Sequence, residues 1–312
     1  MNKKLMKKLT AIGVAAAMVV PCGAVMAEEN KDTEKKDVLI GLLVYNDKNE
    51  FIQKLIDGAQ KKCDEYGYEL VEYGADKDAA KEMTNMEDLL SLNPDVILYN
   101  PVDSDAAGAT LALANDAGIP VITVDRVANS GEVISHLASD NVYGGKIAGE
   151  YIVEQLGDDG GEVVEIQGQA GTSAARDRGQ GFHEAVDDVE GIDVVVSDIG
   201  NWDKAEGMTI MENALQAHPD IKAVFAHNDT MAMGAMEACQ AAGREDIVIV
   251  GFDADDDAVQ AVKDGKLAGT VAQQPELMGT GGVDLAHDYL EGKEIEKSTA
   301  IEVTLITKDT AE

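Results

Sequence analysis

From Val38 onward, short apolar stretches alternate with longer ones that carry helical spacing. "VLIGLLV" is short and apolar. In "NEFIQKLIDGAQKKCDEYG", Phe51, Leu55, Ile56 and Ala59 recur at helical intervals and the segment closes on Gly67. "YELVEYG", "DVILYNP" and "PVITVDR" read as the next strands. Between them, "AAKEMTNMEDLLSLN" is amphipathic and stops before Pro94, and "DSDAAGATLALANDAG" has acids at its start and Gly118 at its end, where helices favour them. The rhythm restarts at "GEVVEIQG" and continues through "SAARDRGQGFHEAVDDV", "IDVVVSDIG", "DKAEGMTIMENALQAH", "KAVFAHND", "TMAMGAMEACQAAG", "DIVIVGFDA" and "DDAVQAVKDG". "LAGTVAQQ", "PELMGTGGVDLAHDYLEG" and "AIEVTLIT" complete it. Such alternation builds parallel sheets covered on both faces by helices. Two runs predict an α/β chain of two doubly wound lobes, and the ordered length exceeds the roughly 100–200 residues of one domain. Aromatic residues are only 4% of the chain, so Ala, Val, Ile, Leu and Met must build most of both cores.

Polar residues follow the apolar strands. Asn100 follows "DVILY", Asp125 and Arg126 follow "VITV", Asn228 and Asp229 follow "AVFAH", Asp253 follows "IVIVGF" and Gln273 follows "GTVA". Charges at the end of a buried strand are costly unless something pairs with them. Any one of these residues could be a turn former or a helix cap. Five strands ending this way, split between two lobes, point to a shared cleft at the carboxyl ends of the strands, where open parallel sheets bind ligands. Asp, Asn, Gln and Arg match hydroxyl groups. A sugar offers hydroxyls at its edge and C–H groups on its faces, so such a site also wants aromatic plates. Trp202, in "GNWDK" just after a strand, has polar flanks that favour the site over the core, and Phe51 lies in the first turn of the first helix.

"MNKKLMKKLTAIGVAAAMVVPCGAVMA" has a basic start, an apolar middle and a small-x-small ending at Ala27. This predicts a cleaved secretory signal over residues 1–27 and a periplasmic location. The apolar run, residues 11–20, is shorter than the roughly 20 residues that span a bilayer. Cys22 raises the alternative of a lipid-anchored cell-surface form, which Pro21 disfavours. Residues 28–37, "EENKDTEKKD", read as a flexible tether. The net charge of −34 argues against nucleic acid or an anionic membrane as partner. Cys63 and Cys239 lie far apart in helical patterns and are expected to be free, buried thiols with no metal site.

A hydrolase would need an acid and a base, or an activated nucleophile, within reach of one another. Asp125 and Asp253 could pose as a carboxylate pair, but there is no G-x-S-x-G, H-E-x-x-H or cysteine–histidine signature, so no enzyme is expected. A DNA-binding regulator would need a helix-turn-helix, and none precedes the core. "DADDDA", residues 253–258, lacks the glycine and glutamate of a calcium loop, and its later aspartates are expected to start a helix. "GTGGVD", residues 279–284, lacks the spacing of a dinucleotide site and reads, like the "GQG" at residues 179–181, as close helix packing.

The segments "DGAQKKCDEYGYELV", "NPVDSDA", "IPVITVDR", "SHLASDNVYGGKIAGEYI", "GTSAARDRGQGF", "AHPDIKAVFAHNDTMAMGA", "VIVGFDA" and "DGKLAGTVAQQP" carry a resemblance over nearly the whole chain. They resemble the ribose-binding branch of the periplasmic-binding-protein family, capture proteins of bacterial ABC sugar importers that share a core with lactose-repressor-type regulators. The resemblance implies a type I clamp joined by a three-stranded hinge. Residues 38–139 with 274–302 would form one lobe, and residues 140–273 with 303–312 the other. It implies a monosaccharide, D-ribose or a relative such as allose, xylose or galactose, with no cofactor. It implies a monomer that meets a membrane permease and serves transport, with chemoreceptor signalling compatible. Residue by residue, Asn49, Phe51, Asn100, Asp125 and Arg126 match the family's contacts in one lobe. Arg178, Trp202, Asn228, Asp253 and Gln273 match those of the other. Tyr45 stands where the ribose-binding branch has a small serine, and Ile52 where it has a second phenylalanine. A pentose stays implied, and the choice of ribose stays open.

Overall fold

The computed structural model describes residues 38–311. The expected signal peptide with Cys22, and the expected tether, lie outside the described residues. The first run is β1 (Leu39–Val44), α1 (Glu50–Tyr66), β2 (Glu69–Gly74), α2 (Ala79–Ser91), β3 (Val96–Asn100), α3 (Ala107–Ala117), β4 (Val121–Val124) and β5 (Ser135–Ser139). The second is α4 (Asn141–Leu156), β6 (Gly161–Gln167), α5 (Ser173–Val186), β7 (Ile192–Ile199), α6 (Lys204–Ala217), β8 (Ile221–Ala226), α7 (Asp229–Ala241), β9 (Val248–Asp253), α8 (Asp256–Lys263) and β10 (Gly269–Ala272). The chain ends with α9 (Pro275–Leu290), β11 (Ser298–Ile301) and β12 (Thr304–Thr307).

The strands form two six-stranded sheets, ordered β11-β5-β4-β3-β1-β2 and β12-β10-β9-β8-β6-β7. The two orders correspond strand for strand, so the chain is the expected pair of doubly wound α/β lobes. Strands β3 and β4 are buried along their whole length, as strands covered on both faces must be. Separate apolar clusters fill the two faces of each sheet, with Leu42, Leu55 and Val283 in one and Phe182, Phe225 and Phe252 in another. Cys63 and Cys239 are free and buried, as expected, and burial pushes their thiols up to about 12 and about 11.

One strand breaks the all-parallel rule: β12 pairs antiparallel with β10. The cause is the geometry of the lobes. Both sheets turn their carboxyl ends toward one cleft. Strand β11 runs parallel to β5, leaves the first sheet at that end, and after two residues can only enter the second sheet backwards. Among the described residues the chain passes between the sheets three times: from β5 into α4, from β10 into α9, and from β11 into β12.

Glycines let helices touch backbone to backbone. A Cβ at Gly279 of α9 would sit 2.0 Å from the Leu55 carbonyl oxygen of α1, and one at Gly181 of α5 would sit 1.9 Å from that of Val142 on α4. Gly145 of α4 meets the Arg178 carbonyl of α5 in the same way, at 2.0 Å. The glycines of "GTGGVD" and "GQG" therefore serve packing. Helix α8 opens on Asp256 and Asp257, so those aspartates start a helix as expected. Helix α3 starts later than its sequence suggests, because the Asp103 carboxylate accepts from the N–H groups of Asp105 and Ala106 and holds a turn there.

Candidate functional site

A small cavity of about 30 Å³ lies between the carboxyl ends of the two sheets, well below the ~300–1,000 Å³ usual for small-molecule sites. Tyr45, Asn49, Phe51, Asp125 and Arg126 line it from the first lobe. Ala174, Arg178, Trp202, Asn228, Asp253 and Gln273 line it from the second. Two residues singled out from sequence, Ile52 and Asn100, do not line it. Ile52 is next to Phe51 on a helix, so the two point about 100° apart, and Ile52 is wholly buried in the first lobe's core. Asn100 stands behind Asp125, with Nδ2 donating to Asp125 Oδ2 at 3.1 Å.

Asn49 and Asn228 do two jobs. Each caps a helix, accepting from Ile52 N at 3.2 Å and from Met231 N at 3.0 Å, while also lining the cavity. For Asn228 the cap reading holds, and the same residue also faces the cavity.

The two guanidinium groups are fixed from behind. Arg126 Nη1 donates to the carbonyls of Val102 (2.8 Å) and Pro101 (3.3 Å), and the Tyr45 ring covers its face at 3.6 Å. Arg178 Nε donates to Asn141 Oδ1 (2.9 Å), its Nη1 to the His227 carbonyl (2.5 Å), and the Phe252 ring lies 3.7 Å away. Asp253 Oδ1 accepts from Arg178 at 3.3 Å and from Gln273 Nε2 at 2.6 Å. Burial pushes the Asp253 carboxyl up to about 7, with the Arg178 charge opposing the rise. Burial likewise lifts the Tyr45 phenol to about 12, so it stays a neutral hydroxyl. Trp202 Nε1 and Gln273 Oε1 find no hydrogen-bond partner among the described residues. One is a donor and the other an acceptor, and a hydroxylated ligand can serve both.

Asp125, Trp202 and Asp253 carry positive φ of 61°, 60° and 116°. Non-glycine residues hold such angles only where the surroundings impose them. At the rim the lobes touch directly. Ser104 N donates to the Gly171 carbonyl (3.0 Å), Ser173 N to Ser104 Oγ (3.1 Å), and Val127 N to Ser173 Oγ (3.2 Å).

A family model described as a periplasmic binding protein domain matches residues 40–294. The chain belongs to that family. The ribose import binding protein of Escherichia coli (strain K12) is 46% identical to it over 292 residues, 94% of this chain and 98% of the relative. The ribose import binding protein of Bacillus subtilis (strain 168) is 42% identical over 282 residues, 90% of this chain and 91% of the relative. Among solved structures, an ABC transporter solute binding protein of Bacillus halodurans C-125 with bound myo-inositol superposes with a TM-score of 0.82 at 30% identity, covering 88% of this chain and 96% of that one.

Several residues that organise this periplasmic binding protein's cleft escape a reading of sequence alone. Asn141, His227 and Phe252 hold Arg178 but look like an ordinary helix start, strand end and core residue. Behind them, His227 Nδ1 accepts from Gly168 N (3.2 Å), which assigns the proton to Nε2, and Nε2 donates to Glu165 Oε1 (2.9 Å). Burial alone would raise Glu165, but hydrogen bonds from His227, Ser197 and Gln167 outweigh it and hold the carboxyl down at about 2. Burial pushes His227 below its ordinary value, so the ring is neutral.

Proposed function

We propose that this protein captures one monosaccharide outside the cytoplasm and delivers it to the membrane permease of an ABC importer, with D-ribose as the first candidate. One observation carries the reading. Two Asp–Arg sets, Asp125 with Arg126 and Asp253 with Arg178, face one small cavity from opposite lobes, and Phe51 and Trp202 supply rings beside them. Charged donors and acceptors at this density suit several hydroxyls on one ring. Family membership and the ribose import proteins among its relatives support the same reading. Binding involves no chemistry, and the protein acts as a monomer.

A second reading, a different monosaccharide such as allose, xylose or galactose, rests on Tyr45. Its ring takes up part of the cavity wall and places a neutral hydroxyl there. A thermal-shift panel of pentoses and hexoses decides between them. A sugar present at about 100 times its dissociation constant adds about 2.7 kcal/mol of stability. Ribose should give the largest shift. A larger shift with another sugar selects the second reading, and no shift with any sugar overturns both.

A further inference from the structure

Asp253 contacts both Arg178 and Gln273, yet its backbone is among the least comfortable in the cleft. Its φ is 116°, and Ala254 follows at 56°. Two successive non-glycine residues in this region persist only when neighbouring groups hold them. The neighbours here are Asp229 and Thr270. Ala254 N donates to Thr270 Oγ1 at 3.2 Å, and Asp255 N donates to Asp229 Oδ2 at 2.9 Å. Thr270 Oγ1 in turn donates to Asp229 Oδ1 at 2.7 Å. The two N–H groups directly after Asp253 are thus taken by one joined pair of side chains.

Both side chains are buried, and neither lines the cavity. Gly251 of β9 makes the room, since a Cβ there would lie 2.1 Å from Asp229 Oδ1. The pair spans three adjacent elements of the second lobe. Asp229 opens α7 after β8, the clasped turn follows β9, and Thr270 belongs to β10, three residues before Gln273.

We propose that Asp229 and Thr270 are positioning residues for sugar binding, a buried clasp that fixes the turn after Asp253 and so aims its carboxylate, with Gln273, into the cleft. The inference rests on the sugar-binding reading above. The clasp works by accepting the two N–H groups, so a hydroxyl at position 270 is required and the methyl group is not.

The test measures affinity by titration calorimetry for the sugar selected by the thermal-shift panel, on the full chain. Thr270→Val and Asp229→Asn should each weaken binding by about tenfold or more. Val takes away the acceptor of the Ala254 N–H, and an amide whose oxygen serves the Asp255 N–H turns its NH2 toward the Thr270 hydroxyl, whose proton loses its acceptor. Thr270→Ser should stay within about twofold of the parent. Parent-like affinity in Thr270→Val and Asp229→Asn overturns the inference, as does a loss in Thr270→Ser equal to that in Thr270→Val. If Thr270→Val does not fold, Asp229→Asn decides alone. A parent that binds no sugar removes the sugar-binding reading itself, whereas a parent that binds alongside unaffected clasp variants removes only this inference.

Discussion

Asp253 carries the sharpest electrostatic conflict in the cleft: a carboxyl shut away from water, with one guanidinium to offset the loss. Its titration near 7, against 3.8 for the ordinary group, means that folding takes up a proton between those values. The associated stability is fully present below about 3.8 and is lost as pH rises through about 7. Asp253→Asn has no proton to lose. The difference in unfolding free energy, variant minus parent, should therefore climb between pH 4 and pH 8, by an amount on the order of 1–3 kcal/mol. A difference that stays flat across that range would show that Asp253 ionises normally. The same variant should bind sugar more weakly, since an amide is a poorer acceptor than a carboxylate. At this scale the sequence was informative wherever polarity broke an apolar strand, which picked out Asp125, Asp253 and Gln273. It was silent where the signal was ordinary. Nothing about His227 or Phe252 in the chain says that one offers a carbonyl and the other a ring to Arg178.

Elements were more legible than residues, because strand and helix announce themselves by periodicity over many positions. Their closeness was not. The glycines of α4 and α5 mark contact only once each is seen opposite a backbone carbonyl of the other helix. Gly145→Val would push its side chain into the Arg178 carbonyl, now 2.0 Å from a bare Cβ position. The expected cost is about 1–3 kcal/mol, read from urea unfolding. Sugar affinity should fall with it, because α5 carries Arg178. Lys146→Ala, exposed on the same helix, should do neither. Equal stabilities for the two variants would mean that α4 and α5 part at little cost. The antiparallel pairing of β12 was likewise beyond the pattern of residues, since it follows from how two sheets face one cleft.

For the whole molecule, the lobes meet through their own groups as well as through the cavity. Ser104 and Ser173 bridge the rim away from the cavity wall. A ligand shifts a closing equilibrium only by its preference for one state, and groups that favour the closed state add to its apparent affinity. Ser173→Ala should therefore weaken sugar binding by about threefold to tenfold while every cavity residue stays in place. Small-angle scattering should show a more open sugar-free molecule. Undiminished affinity and an unchanged scattering profile would remove the rim contacts from the balance.

The three passages between the sheets also set an order of events during synthesis. Helix α9, which covers α1, and the edge strands β11 and β12 all come from the last 38 residues, 275–312. A chain emerging from its amino end can make most of the first lobe early, yet Leu55 and Ala59 on α1 stay uncovered until α9 arrives. Neither lobe can be finished before the other, so the molecule stays open along a seam until almost the whole chain is available, and then closes both halves together.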